Sequence, residues 1–377
     1  MRNDNQSKET ASVFLDSDIS PSKPISDHPQ QQLRTAFLQT KAQQKLRNRE
    51  AAAAIGVSEG EAIAALIGRN DGIEVVRLTP DFITLFEDIP QLGSVMALTR
   101  NDSAVHEKDG PYQNMSHNGH VGLALGEEID LRVFYHQWVL GCAVIEETPR
   151  GTQKSVQFFD QHGTAIHKIF LRAHSNHEAF DQLIARWRNI DQQPGFTATP
   201  TPPPVDEKID SAINVAGFQA AWSGMTDTHQ FFGILRDFGL SRTQAYRLAA
   251  PQYIRQVDNG ALKVILNIAA ASALPIMIFV GNNGMIQIHS GPISNVKVMG
   301  AWINVLDPRF NLHLLEDQIV SSWVVTKPTS DGAVTSLELF DRKGQTIAML
   351  FGARKPGQPE LSAWREATLQ LATVSAP

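Results

Sequence analysis

At 377 residues, 42% of them hydrophobic and 19% charged, the chain is long enough for two cores and too apolar for a disordered or fibrous protein. Its formal charge of −6, from 39 acidic and 33 basic residues, lacks the basic excess with which a general nucleic-acid binder displaces phosphate counterions. The single cysteine, Cys142, excludes an internal disulfide and every multi-cysteine metal site.

The first residues are polar and carry no apolar signal-peptide core, which points to the cytoplasm. Residues 1–30 read as a disordered tail. Residues 31–190 form a first repeat, 191–210 a Pro-rich linker with Pro202, Pro203 and Pro204 in a row, and 211–377 a second repeat. No apolar run approaches the ~18 residues of a membrane span. The longest, Val264 to Val280, is broken by Asn267, Ser272 and Pro275.

The duplication is legible as a constant spacing, 183 residues in the upstream helices (Gly56-Val57-Ser58 against Gly239-Leu240-Ser241) and 181 residues from there on. It pairs Met96 with Met277, Asn101 with Asn282, Gly110-Pro111 with Gly291-Pro292, Phe159-Asp160 with Phe340-Asp341, and Gly163 with Gly344. Each repeat opens with helices. A later one starts at a serine followed three residues on by Glu or Gln (Ser58 and Glu61; Ser241 and Gln244), the spacing of a capping box. Strand–turn–strand patterns follow, such as Ser336–Phe340 and Gln345–Phe351 around Asp341–Gly344, and a last helix carries Trp187 or Trp364. Helices followed by hairpins, without βαβ alternation, predict an α+β fold with a large antiparallel sheet in each half.

Gly56-Val-Ser-Glu-Gly60 matches the hydrolase pattern G-x-S-x-G, but a helix, not a strand, precedes Ser58, so the serine is read as an N-cap. The segment Phe238–Arg247 resembles a helix–turn–helix, and Arg242 and Arg247 offer phosphate contacts. This makes a non-catalytic DNA- or protein-binding regulator the alternative reading. The pairs His117/His120 and His174/His177 lack a third ligand and are read as exposed loop histidines.

Residues shared between repeats serve the fold. Coordinating or charged residues found in one repeat mark a task. On that test His229 stands opposite Leu46, Arg242 opposite Glu59, Arg100 opposite Gly281, Lys327 opposite Glu146, and Arg354 opposite Ala173.

These positions, within Thr228-His-Gln-Phe-Phe232, Gly239-Leu-Ser-Arg242, Met277-Ile-Phe-Val280, Ile288–Pro292 and Ala97-Leu-Thr-Arg-Asn101, resemble the HemS/ChuS/PhuS family of bacterial cytoplasmic haem-binding proteins. The resemblance runs from about residue 40 to the last helix and implies a haem cleft between the halves. It implies His229 as the iron ligand and Arg100, from the other half, as the distal catalytic group. Arg242, Lys327 and Arg354 are implied at the haem propionates, with Phe232, Met277 and Phe279 as apolar wall. Guanidinium and ammonium groups suit carboxylates, and a neutral imidazole suits iron. Met277 and His289 remain alternative ligands by chemistry. Met277, shared with Met96, is read as wall, and His289 sits in a turn context.

The implied role is haem iron acquisition: holding or transferring haem from an inner-membrane importer, and oxidative haem cleavage with an external electron donor. A downstream haem oxygenase or a reductase is the further partner implied. Neither nucleic acid nor membrane insertion is expected.

Overall fold

The computed structural model describes residues 29–204, 206–354 and 357–374. The expected tail therefore lies, apart from Pro29 and Gln30, outside the described residues. The first repeat opens with α1 (Pro29–Gln44), α2 (Asn48–Ala54), α3 (Glu59–Ala65), β1 (Gly68–Asn70), β2 (Ile73–Arg77) and α4 (Phe82–Asp88). Next come β3 (Ser94–Arg100), β4 (Ala104–Pro111), β5 (Met115–Asn118), β6 (Val121–Leu125) and β7 (Asp130–Phe134). It closes with β8 (Leu140–Thr148), β9 (Gly151–Phe159), β10 (Ala165–Leu171) and α5 (His177–Trp187).

The second repeat follows the same order. It opens with α6 (Val215–Ser223), α7 (Gln230–Phe238), α8 (Arg242–Leu248), β11 (Ile254–Val257) and α9 (Ala261–Ser272). Then come β12 (Ile276–Gly281), β13 (Met285–Gly291), β14 (Val296–Met299), β15 (Trp302–Asp307) and β16 (Phe310–Leu315). Strands β17 (Ser321–Lys327), β18 (Val334–Phe340), β19 (Thr346–Gly352) and helix α10 (Ser362–Leu369) complete it.

The fold is α+β, with two antiparallel sheets. The strands are not shared out by repeat, however. The ten-stranded sheet runs β1-β2-β8-β9-β10-β3-β4-β16-β15-β14, and the nine-stranded sheet β11-β17-β18-β19-β12-β13-β7-β6-β5. Each repeat gives three strands to its partner's sheet. The crossing pairs are β4 with β16, placing Lys108 opposite Phe310, and β13 with β7, placing Met285 opposite Val133. Leu131 and Val133 of β7 nevertheless remain buried in the first repeat's core with Phe86, Phe158 and Phe180. The donated strands thus hydrogen-bond to one half while packing on the other.

The seam is closed by a symmetric pair. Asn101 Nδ2 donates to the carbonyls of Gly281 (3.1 Å) and Ile347 (2.9 Å). Asn282 Nδ2 donates to those of Arg100 (2.9 Å) and Ile166 (2.8 Å), the same positions one repeat away. Buried backbone carbonyls need such partners, so the shared asparagines are structural.

The capping-box expectation holds fully in the first repeat: Ser58 N donates to Glu61 Oε2 (2.9 Å) and Glu61 N to Ser58 Oγ (3.2 Å). Only half forms in the second. Gln244 N donates to Ser241 Oγ (3.0 Å), but the Gln244 amide is drawn to Lys208 O (2.6 Å) and Asp210 Oδ1 (2.7 Å). The competing partners belong to the inter-repeat segment, which lies against both repeats. Arg77 Nη2 donates to Gly195 O (2.6 Å), Phe196 packs on the α1–α3 core, and Glu207 Oε2 accepts from Arg247 Nη2 (2.7 Å). No helix among the described residues is long and apolar enough to cross a membrane.

Candidate functional site

Between the repeats lies a cleft of about 720 Å³, within the range of ligand sites. Its walls are symmetric in backbone. The turns after β9 and β18 both enter it, each held by an aspartate: Asp160 Oδ1 accepts from His162 N (2.8 Å) and Thr164 N (2.9 Å), Asp341 Oδ1 from Lys343 N (2.8 Å) and Gln345 N (2.9 Å). Its chemistry is not symmetric. Arg100, at the end of β3, faces the cleft where the second repeat has Gly281. Burial, then the neighbouring Arg49, lower the Arg100 pKa, and among the described residues it makes no ion pair.

The second repeat supplies the floor. Along β12 the half-buried positions Met277 and Phe279 alternate with buried Ile276, Ile278 and Val280, as period-2 geometry requires. Met277 pairs across to Phe351 and Phe279 to Met349, making an apolar strip on one sheet face. The Phe279 and Phe351 rings lie 5.0 Å apart.

Helices α7 and α8 form the adjoining wall. Gly239, at φ 65°, ends α7 in the left-handed conformation that glycine tolerates, and the chain turns into α8. This brings Arg242 over Phe232 (5.3 Å) and Phe231 (5.4 Å). Phe232 is 59% exposed and lines the cleft. An aromatic face presented to an open cleft invites an apolar ligand.

Behind this wall is a buried charge cluster. Glu338, fully buried on β18, accepts from Arg242 Nη1 (2.8 Å), Lys327 Nζ (2.8 Å), Tyr246 OH (2.5 Å) and Ser336 Oγ (2.9 Å). Burial alone would raise the Glu338 pKa, but Lys327 and Arg242 hold it well below the carboxylate range. Burial lowers the Lys327 pKa against the pull of Glu338. Two cations share one carboxylate, so the cluster carries a net positive charge. The first repeat differs at the same place: Glu59 replaces Arg242 and pairs with buried Lys168, where the second repeat has Met349.

His229 stands at the N-cap of α7, one turn before Phe232, with its side chain 87% exposed. Its Nδ1 lies 2.7 Å from Asp227 Oδ1, which also accepts from His229 N (2.8 Å). The bond from the His229 backbone, then that from its ring, lower the Asp227 pKa, and Arg354 is close enough to add to the effect. A carboxylate accepting from Nδ1–H leaves the Nε2 lone pair free, the arrangement typical of a metal-ligating histidine.

The structure therefore gathers Arg100, Arg242, Phe232 and Phe279 around one cleft. It puts His229 and Arg354 together beside α7 and Met277 on the Phe279 strip, all three outside the cleft lining. Lys327 is placed differently from the implied propionate contact: it is buried beneath the Phe231 ring (4.7 Å) and bonded to Glu338, so it acts through Arg242 and Glu338. His289 is removed as a ligand for this cleft. It is buried elsewhere, stacked on Phe310 (3.8 Å between centroids, 8° between planes), with Lys108 Nζ 2.9 Å from its Nδ1. The helix–turn–helix reading also fails: Gln244, Ala245 and Tyr246 are buried, Arg242 is committed to Glu338 and Arg247 to Glu207. Sequence reasoning missed Glu338, His162 and Lys343. Their signal was the repeat spacing, which sets Glu338 opposite Gln157 and His162 opposite Lys343.

The family description "Haemin-degrading HemS.ChuX domain" matches the chain twice, at residues 56–187 and 239–371. The protein belongs to the HemS family. Among relatives, it is 40% identical over 324 residues to the hemin transport protein HmuS of Yersinia pestis, covering 86% of this chain and 92% of the relative. It is 40% identical over 337 residues to the hemin transport protein HemS of Yersinia enterocolitica, covering 89% and 96%.

Solved structures agree. Holo-PhuS, a haem-binding protein from Pseudomonas aeruginosa, superposes with a TM-score of 0.88 at 44% identity, covering 92% of this chain and 100% of that one. ChuS, described as an E. coli haem oxygenase, superposes at 0.81 with 36% identity, covering 90% and 99%. In this HemS-family protein both matched segments contribute strands to both sheets.

Proposed function

We propose that the protein binds haem against the second-repeat wall of the cleft and serves haem iron acquisition in the cytoplasm. His229 ligates the iron through Nε2, with Asp227 fixing the imidazole tautomer. Met277, Phe279 and Phe232 bear on the apolar ring. Arg242 and Arg354 meet the propionates, and Lys327 keeps the Arg242–Glu338 cluster positive from behind. Arg100 faces the ring from the first repeat. Haem, when bound, brings its own redox chemistry. The chain binds the ring, orients it and sets the charge around it.

The observation that carries this reading is a cleft lined by Phe232, Phe279 and the Arg242 of a net-positive cluster, with His229, its Nε2 free, at the start of the helix that carries Phe232. The named roles of the Yersinia relatives in hemin transport and of ChuS as a haem oxygenase support the biological setting. Haem received from an inner-membrane importer would be held here and passed to a downstream oxygenase. For opening in place, a separate reductase would supply the electrons.

The test is titration of the purified chain with ferric haem. A saturable Soret change at one haem per chain is expected, with affinity lowered about tenfold or more in Arg242→Met, the scale of a lost charge-assisted bond. No saturable change in the wild type would overturn the reading.

A further inference from the structure

The cleft holds a second imidazole that the reading above does not use. We propose that His162 is a second haem-iron ligand, approaching from the first-repeat side. The inference rests on haem being the occupant of this cleft. His162 lines the cleft together with Arg100, Phe232 and Arg242. Its Nδ1 lies 2.7 Å from the carbonyl oxygen of Thr199. A carbonyl only accepts, so the ring proton sits on Nδ1 and Nε2 carries a lone pair. Among the described residues its side-chain hydrogen-bond partner is the exposed amide of Gln161, which donates to it from Nε2 at 3.3 Å and which an iron would displace. His162 thus resembles His229 in having one ring nitrogen tied to an oxygen and a lone pair on the other, here met only by a weak, exposed amide contact.

The ring is also held in place. Asp160 Oδ1 fixes the backbone on both sides, accepting from His162 N and Thr164 N. Gly163, at φ 71°, packs against Ser58 so closely that a Cβ would collide with its Oγ. The Thr199 segment is pinned by its own N–H to Gln161 O (2.7 Å), and Phe196 anchors it in the first-repeat core. A preorganised side chain loses little entropy on ligation.

The fold does not itself require a histidine here. The equivalent turn keeps its aspartate clasp, Asp341 accepting from Lys343 N and Gln345 N, with lysine at the matching position. His162 comes from the same repeat as Arg100, whereas His229 comes from the other. One imidazole from each repeat gives a cargo iron a ligand to hold while the first is released.

The test compares ferric complexes of the full chain by absorption and electron paramagnetic resonance in imidazole-free buffer. His229→Ala should keep a histidine-ligated signature, which His229→Ala/His162→Ala should lose. His229→Ala/His162→Gln, which keeps a polar side chain on the exposed turn, should lose it as well and so exclude misfolding. Identical spectra for the single and double variants would overturn the role of His162, as would failure of His229→Ala to bind haem, while leaving the haem reading intact. A wild type that ignores haem would remove both.

Discussion

Glu338→Gln removes the carboxylate shared by the cleft-lining Arg242 and the buried Lys327, while keeping the side chain's size. Breaking a buried ion pair from one side costs about 3–5 kcal/mol, because the charge left behind has lost water and partner alike. The upper half of that range applies, since Glu338 is fully buried and the new amide nitrogen must face donors, either Arg242 and Tyr246 or Lys327 and Ser336. With a urea dependence of about 3 kcal/mol per molar, the midpoint should fall by about 1.3–1.7 M.

The deficit should also depend on pH. Burial already lowers the folded Lys327 pKa against the opposing pull of Glu338, and losing that carboxylate lowers it further. Between the folded and unfolded values the unfolded chain binds more protons, so stability rises with pH. Part of the deficit should therefore return as pH rises toward the unfolded lysine value of about 10.4, and Lys327→Met in the same background should recover a similar part. Urea unfolding followed by tryptophan fluorescence reads all of this. A loss under about 1 kcal/mol that ignores pH would mean water reaches the cluster, and the argument for a positive wall behind Phe232 would fall.

Arg100→Ala should leave haem affinity within about threefold but shift the alkaline spectral transition of the complex, which reports surroundings on the first-repeat side; a collapse of affinity would instead make Arg100 a propionate partner. Asn101→Ala deletes donors to Gly281 O and Ile347 O and should cost about 1–3 kcal/mol, matched by Asn282→Ala, in denaturation midpoints. His167 and His289, buried with pKa pushed down to about 3, stay neutral in the fold. Unfolded histidines protonate near pH 6.5, so stability present above that pH is lost as pH falls toward 3. Together they set a slope that approaches about 2.7 kcal/mol per pH unit below pH 6, to be checked by urea titrations at pH 7, 6 and 5. A flat profile over that range would show the two rings are not held neutral.

Much of this was legible because the duplication made each repeat a control for the other. Turn glycines and aspartates such as Asp160-Gly163 and Asp341-Gly344 recur at constant spacing, since a tight turn admits few residues. Arg242 opposite Glu59 pointed to a place where the charge of the two repeats differs. The strand exchange was not legible: Leu131 and Val133 alternate with polar residues whether β7 pairs within its own repeat or with β13, and periodicity reports faces, not partners. Lys327 read as a free cation because its partner Glu338 lies two strand positions from Ser336, where nothing in the alternation reveals a charge facing inward. The linker read as a spacer from its prolines, yet Phe196 and Glu207 fasten it to both repeats through contacts distant in sequence.

The central claim is that the imidazole beside Asp227 grips iron. Its most direct measurement is the spectrum of ferric haem bound to the wild type and to His229→Ala, read before and after adding free imidazole. The account predicts that the wild-type signature changes in the variant and that added imidazole restores a wild-type-like band. Superimposable spectra for the two proteins, unmoved by imidazole, would contradict it.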